Sequence, residues 1–329
     1  MPELTGRPIR FGVVGTGYIA SAFTDDLRLL DDVVVSAVGS RSQASAVAFG
    51  ERHAVGRRHA SYAELVTDPE VDVVYVATPH PGHHDAAMLA IQAGKAVLVE
   101  KPFTMDAAEA SDLVDAARQA GVFLMEAMWT RFHPHMARIR EVLAAGTLGE
   151  VVTVTADHGQ WFASDAEHRL FAPSLGGGAL LDLGIYPLSF ASMVLGTPDV
   201  VTARSSKAFT GVDAQTSMIL DHVGGAQAVL TTTLLARSPT RATIVGTEAR
   251  LEVDTVWYQP SSFTVISRDG VVLERFDEPH VGHGLRHQAS EVVRCLRAGE
   301  TESPVMPLDE SLSIMRTMDE VRRQIGLVY

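Results

Sequence analysis

The sequence predicts an α/β chain: a doubly wound parallel sheet in the N-terminal part, then a second α+β domain on an antiparallel or mixed sheet. Three observations predict it. Up to residue 127, short and almost wholly apolar runs alternate with helical patterns, as in strands buried on both faces and joined by crossing helices. From residue 151, short strand-like runs follow one another with few helices between them. The length, 329 residues, is large for one core, so two domains are expected, 1–127 and 128–329.

Ile9–Val14 reads as a buried strand running into Gly15-Thr16-Gly17-Tyr18-Ile19-Ala20, with a helical pattern to about Leu30. This is G-x-G-x-x-A between strand and helix. Gly15 makes the tight turn, Gly17 lets backbone approach a pyrophosphate, and small Ala20 lets helix pack on strand. The free N–H groups of the helix start, through Thr16, Tyr18 and Ile19, would face the phosphates. Val33–Val38 is the second strand. It ends in Gly39-Ser40-Arg41-Ser42, without the acid that holds a ribose 2′-OH; Asp31 and Asp32 lie at its other end. A hydroxyl beside a planar cation suits a 2′-phosphate, so Ser40 and Arg41 point to NADP rather than NAD. Ser42 also suits a helix N-cap.

A short helix is expected near Ala44–Phe49, and Ser61-Tyr62-Ala63-Glu64 fits a capping box opening another. Val71–Ala77 is the third strand. It ends in Thr78-Pro79-His80-Pro81-Gly82-His83-His84, a polar segment suited to the crevice at the carboxyl edge of a parallel sheet. The three histidines lack a carboxylate or cysteine at ligand spacing, so no metal is expected. A helix from about His84 to Ala93 closes at Gly94. Ala96–Val99 then runs into Glu100-Lys101-Pro102-Phe103. Most lysines in such turns are solvated. One at the end of a buried strand is also well placed for proton-transfer chemistry. Ala107–Ala120 is a helix closed by Gly121, and Val122–Met125 a further strand. The domain border falls in Glu126-Ala127-Met128-Trp129-Thr130-Arg131-Phe132-His133-Pro134, before a helix over 134–143.

In the second half, Val151–Thr155, Val200–Ser205, Thr216–Leu220, Ala226–Leu234, Ala242–Val245, Leu251–Val253, Phe263–Ile266 and Val271–Phe276 read as strands. The main interruption is Gly176-Gly177-Gly178-Ala179-Leu180-Leu181-Asp182-Leu183-Gly184-Ile185-Tyr186-Pro187. Glycines open a helix with Asp182 and Tyr186 four apart, hence on one face. Such a pair is commonly a structural hydrogen bond; permissive backbone just before it also suits close approach of a ligand. Leu285–Leu296 and Asp309–Ile325 are amphipathic helices that cover sheet faces or return to the first domain. Cys295 lies in the apolar stripe of the first of them and reads as a buried, inert thiol.

The net charge of −13, with no Lys/Arg run, makes nucleic acid and anionic membranes poor partners. One cysteine excludes an intrachain disulfide. Met1–Pro8 lacks the apolar core of a signal peptide, and no apolar run reaches the roughly 20 residues of a membrane helix. The expected location is the cytoplasm.

These motifs together resemble the glucose–fructose oxidoreductase / inositol dehydrogenase (Gfo/Idh/MocA) family over essentially the whole chain. The glycine turn, Thr78-Pro79…His83, Glu100-Lys101-Pro102 and Gly177–Pro187 carry the resemblance. Met125–Phe132 and Ile185-Tyr186 are most similar to its dimeric dihydrodiol dehydrogenase and NADP-dependent D-xylose dehydrogenase branch. His80 departs from the asparagine of many relatives, and Tyr186 from the histidine of the inositol dehydrogenase side. The resemblance implies an N-terminal Rossmann domain, a C-terminal domain on a large open sheet, and a dimer or tetramer formed through that sheet. It implies a catalytic Lys101, a general acid/base Tyr186 and a substrate-contacting Asp182. The cofactor would lie along Gly15–Ile19, Ser40, Arg41, Thr78, Pro79, His80, His83, Glu100 and Lys101, with Trp129 and Arg131 shaping the nicotinamide end. The implied reaction is hydride transfer between nicotinamide C4 and a hydroxyl-bearing carbon of a sugar or cyclic polyol. Free tyrosine titrates at about 10; the Lys101 ammonium would favour the phenolate. The alternative within the same fold is a catalytically silent dinucleotide sensor acting through a protein partner, which can lose Lys or Tyr and keep the glycine turn.

Overall fold

A computed structural model describes residues 6–277, 279 and 281–329. The expectation about a leader rests on Met1–Pro8, of which residues 1–5 lie outside the described residues. Contacts divide the chain into two units. The first is the chain up to Trp129 together with Val281–Leu312; the second is the intervening chain from Thr130 together with Ser313–Tyr329.

The strands of the first unit are β1 (Ile9–Val14), β2 (Val33–Gly39), β3 (Arg57–His59), β4 (Val73–Val76), β5 (Ala96–Glu100) and β6 (Leu124–Ala127). They form a six-stranded sheet in the order β3-β2-β1-β4-β5-β6, every pairing parallel. All six carboxyl ends therefore share one edge, and the order reverses between β1 and β4, where such sheets bind ligands. The helices α1 (Tyr18–Leu27), α2 (Gln43–Arg52), α3 (Tyr62–Val66), α4 (His83–Gln92) and α5 (Ala107–Ala120) alternate with the strands. Three begin on side-chain caps: Ser42, Ser61 and Asp106 accept from the backbone N–H of Ser45, Glu64 and Glu109. Each such cap is worth about 1 kcal/mol. β3 has no counterpart in the sequence reading, because Arg57-Arg58-His59 is a polar edge strand that shows no apolar run. Within the core, Phe23 of α1 stacks on Tyr75 of β4 at 3.9 Å and meets Phe11 of β1 edge-on at 5.8 Å. This ties the helix after the glycine turn to the strands on both sides of the switch point.

The second unit holds α6 (Pro134–Ala144), α7 (Ile185–Leu195) and eight strands: β7 (Val151–Gly159), β8 (Val200–Lys207), β9 (Asp213–Asp221), β10 (Gln227–Thr233), β11 (Ala242–Gly246), β12 (Ala249–Val253), β13 (Phe263–Ser267) and β14 (Val272–Phe276). Their order is β14-β13-β12-β11-β7-β10-β9-β8, and β7–β10 is the one parallel pair among the described strands of this sheet. α8 (Arg286–Ala298) belongs to the first unit, and α9 (Leu308–Ile325) spans the border at Leu312. Buried Cys295 lies on α8, where burial first, then Glu291, pushes its thiol well above the ordinary range.

One face of the eight-stranded sheet is covered by a helical run over residues 173–195 that packs on β7 and β10. This run corrects one sequence expectation. By length and composition it is apolar enough to cross a membrane, with mean hydropathy 1.5 over an 18-residue stretch, but 78% of that stretch is buried. It reads as a core helical run that opens at Pro173 and is interrupted at Gly176 and Gly178, both at positive φ. On the opposite face, register aligns Thr202, Ile219, Val229, Thr155 and Thr243 across five strands. Ile219 and Val229 are 43% and 40% exposed, and the row carries no charge.

Candidate active site

In the first unit the predicted residues gather along the carboxyl edge of the sheet. Gly15 has φ +106°, and a Cβ there would lie 2.5 Å from the carbonyl oxygen of Ala77, so glycine is required where β1 turns beside β4. Gly17 is exposed, with nothing within 4 Å of where a Cβ would stand, which leaves its backbone open to a ligand. It is the N-cap of α1, and no side chain caps that helix start. Ala20 is fully buried. Thr16 and Ile19 are half-buried and Tyr18 is 80% exposed. At the end of β2, Ser40 is buried and Arg41 is exposed, with no ion-pair partner among the described residues. Across the switch point Thr78 Oγ1 is buried without a hydrogen-bond partner. An open backbone turn, an uncapped helix start and an orphaned hydroxyl at one switch point fit a bound dinucleotide.

His80, His83 and His84 separate. His80 is buried in a 3₁₀ turn (His80–Gly82). His83 is buried at the start of α4, with Nδ1 2.8 Å from the carbonyl oxygen of Pro102 and Nε2 3.0 Å from that of Thr78. Burial first, then His80 and Lys101, push its pKa down to about 3. The neutral ring has one N–H, so one contact is a hydrogen bond and the other a close approach. His83, one of the residues expected along the cofactor, spans the ends of β4 and β5. His84 faces Asp85 and Asp112. Among the described residues no three His, Cys, Asp or Glu side chains are arranged to hold a metal.

Lys101 follows β5 and is half-buried, before a cis peptide bond to Pro102. Its backbone N–H lies 3.3 Å from the Glu100 carboxylate, whose other oxygen accepts from the Tyr75 hydroxyl. Glu100 thus fixes the strand end that presents Lys101. Pro79 is exposed and Trp129 buried at the other strand ends.

In the second unit a π turn (Leu180–Gly184) runs into α7, and these carry Asp182 and Tyr186. Such turns recur at functional sites. The glycines before them have separate reasons. A Cβ on Gly177 would lie 2.9 to 3.0 Å from the carbonyl oxygens of Arg169, Leu170 and Ala172. Gly178 has φ +118°, and a Cβ would meet Asp213 Oδ1 at 2.1 Å. Asp213 accepts from Leu180 N–H at 2.8 Å and the Thr216 hydroxyl at 2.7 Å, capping the turn. Burial raises its pKa to about 7.

Asp182 is buried and takes both Arg169 Nη atoms, at 2.9 and 3.2 Å. Tyr186 is buried against His158 and Tyr258, ring centroids 5.1 and 4.8 Å away. His158 stacks on Tyr258 at 4.1 Å, and the Gln160 amide contacts both, at 2.9 and 3.1 Å. Arg131 is buried and donates to the hydroxyl and carbonyl of Ser189, so it holds α7 one turn past Tyr186. His158, Gln160, Tyr258 and Arg169 escaped the sequence reading. His158 had a signal: the inward alternation Val154, Ala156 continues to it, two steps beyond the predicted strand end. Arg169 lies in a loop no periodicity covers.

A parallel sheet with a dinucleotide turn at its switch point, in a chain whose second unit presents a buried phenol and a buried carboxylate four residues apart, defines a nucleotide-dependent oxidoreductase. Residues 9–128 match the model for the oxidoreductase family with an NAD-binding Rossmann fold, and residues 136–252 match the GFO/IDH/MocA C-terminal domain. The chain belongs to the Gfo/Idh/MocA oxidoreductase family. Curated relatives include trans-1,2-dihydrobenzene-1,2-diol dehydrogenases of Danio rerio, 40% identical with 98% of each chain covered, and Xenopus laevis, 37% identical over 97% of this chain and 99% of that one. Among solved structures, an aldose–aldose oxidoreductase from Caulobacter crescentus complexed with glycerol has TM-score 0.88 at 25% identity. A 3-ketoreductase from Actinomadura kijaniata in complex with NADP and TDP-benzene has TM-score 0.83 at 28% identity. Each comparison covers 97% of this chain and 98% of the other.

Proposed function

We propose that this protein is an NADP-preferring dehydrogenase or reductase that interconverts a CH–OH group and a carbonyl on a sugar or cyclic diol. The observation that carries the reading is the buried Tyr186 phenol on a polar helical face, in a chain that also presents Lys101 at the end of a dinucleotide-binding sheet. The nicotinamide, when bound, supplies the hydride acceptor. In oxidation, as hydride leaves the carbon, the hydroxyl proton passes to the Tyr186 oxygen. Lys101 favours the phenolate and donates a hydrogen bond to the reacting oxygen. Asp182, held by Arg169, orients a neighbouring hydroxyl. The names of the relatives, diol dehydrogenases and sugar oxidoreductases, support this substrate class.

NADP preference rests on Ser40, which stands where an acid is absent, and on the exposed Arg41. Steady-state kinetics with both cofactors test it. Native kcat/KM is expected to favour NADP. Arg41→Ala should lower the NADP value about tenfold or more, the size of a charged hydrogen bond, and leave the NAD value little changed. A native preference for NAD overturns the reading.

We further propose that the uncharged row of the open sheet face joins two or more copies of the chain. Sedimentation should give a mass above one chain, and Val229→Lys should lower it. A wild-type monomer refutes this.

A further inference from the structure

We propose that Arg169 is a positioning residue of the reaction centre: its guanidinium neutralises Asp182, so that the Tyr186 phenol sits beside an ion pair rather than beside a lone carboxylate. The inference rests on the assignment of Tyr186 as the proton acceptor and goes beyond it.

The local construction makes Arg169 a fixed part of the unit. Leu170 and Phe171, which follow it, are fully buried in a cluster with Ala179, Leu183 and Leu234. The carbonyl of Leu170 accepts from Gly178 N–H at 2.8 Å, and that of Ala172 from Gly177 N–H at 3.1 Å. Only glycine at 177 lets these strands of backbone close on each other. The segment bearing Arg169 is therefore sewn to the start of the turn that carries Asp182. The pairing is bidentate, which sets the plane of the guanidinium as well as its place.

The two ends of the pair differ in exposure: the Asp182 side chain is 6% exposed and that of Arg169 is 53% exposed. A buried carboxylate four residues before Tyr186 would by itself oppose formation of the phenolate. The guanidinium cancels that opposition. Burial works against the Arg169 charge, but Asp182 and then Tyr186 outweigh it, so its pKa is raised. The charged and titratable groups beside Tyr186 within the unit include Arg169 from the preceding segment, His158 from β7 and Tyr258 from the segment after β12, with Asp182 four residues back in the π turn. His158 is read separately by following the profile above the ordinary histidine range.

The test is the pH profile of kcat for alcohol oxidation, measured in that range. Arg169→Met should move the midpoint of the rise up by about one pH unit, the lower end for loss of one neighbouring charge. Arg169→Lys, which keeps the cation and is the milder change for folding, should leave the midpoint near the parent. Arg169→Met/Asp182→Asn removes both charges and should bring it back, whatever the loss in kcat. An equal fall in rate at every pH with an unmoved midpoint overturns the proposal, as does a double variant displaced as far as Arg169→Met. Tyr186→Phe separates the two levels. If it keeps the rise, the assignment of Tyr186 fails and the inference with it. If it abolishes the rise while Arg169→Met leaves the midpoint unmoved, only the inference fails.

Discussion

Tyr186→Phe is expected to lower kcat by about 10² to 10⁴, the usual contribution of a positioned acid or base. NADPH affinity should stay within a few-fold of wild type. The change deletes one oxygen and keeps the ring. The contacts of that ring with His158 and Tyr258 are ring-to-ring contacts, so packing survives. A fall in kcat and kcat/KM together, with unchanged thermal stability, is the signature of a group needed in the transition state. Normal turnover in the variant sinks the assignment.

Lys101→Met should have an effect of similar size. Methionine preserves most of the aliphatic stem and removes the ammonium. The hydrogen bond from residue 101 to Glu100 is made by backbone N–H, so the strand end should keep its shape. The loss then belongs to charge. Removing one preorganised donor to a reacting oxygen costs about 10² to 10³ in kcat. Fluorescence titration of NADPH against the variant decides between roles. Retained binding with lost turnover places Lys101 in the chemistry. Lost binding makes it a cofactor ligand only.

Much of the first unit was legible because parallel strands buried on both faces are apolar throughout. Ile9–Val14 and Ala107–Ala120 were read to the residue. The glycine turn was legible because each small residue has a steric reason, and the 2.5 Å approach of Ala77 to a Cβ on Gly15 is that reason made visible. Polar edge strand β3 was not legible, since an edge strand needs no apolar run. In the second unit alternation located the strands but cut β7 short at Thr155, and so lost His158. The partner of Asp182 was hidden for a different cause. Arg169 reaches it through a loop whose path is set by backbone closing on Gly177, and no local propensity encodes that approach. The contacts of His83 were not legible either: its two carbonyl neighbours come from the ends of two different strands, a juxtaposition that the motif does not encode.

The central claim is hydride transfer from a hydroxyl-bearing carbon to the nicotinamide. It is tested most directly by supplying NADP with a panel of aldoses, inositols and cyclic diols, each deuterated at the reacting carbon. Deuterium should appear at C4 of the reduced nicotinamide, with the carbonyl product formed in equal amount. Deuterium recovered in water, or product formed without reduced cofactor, would contradict the account.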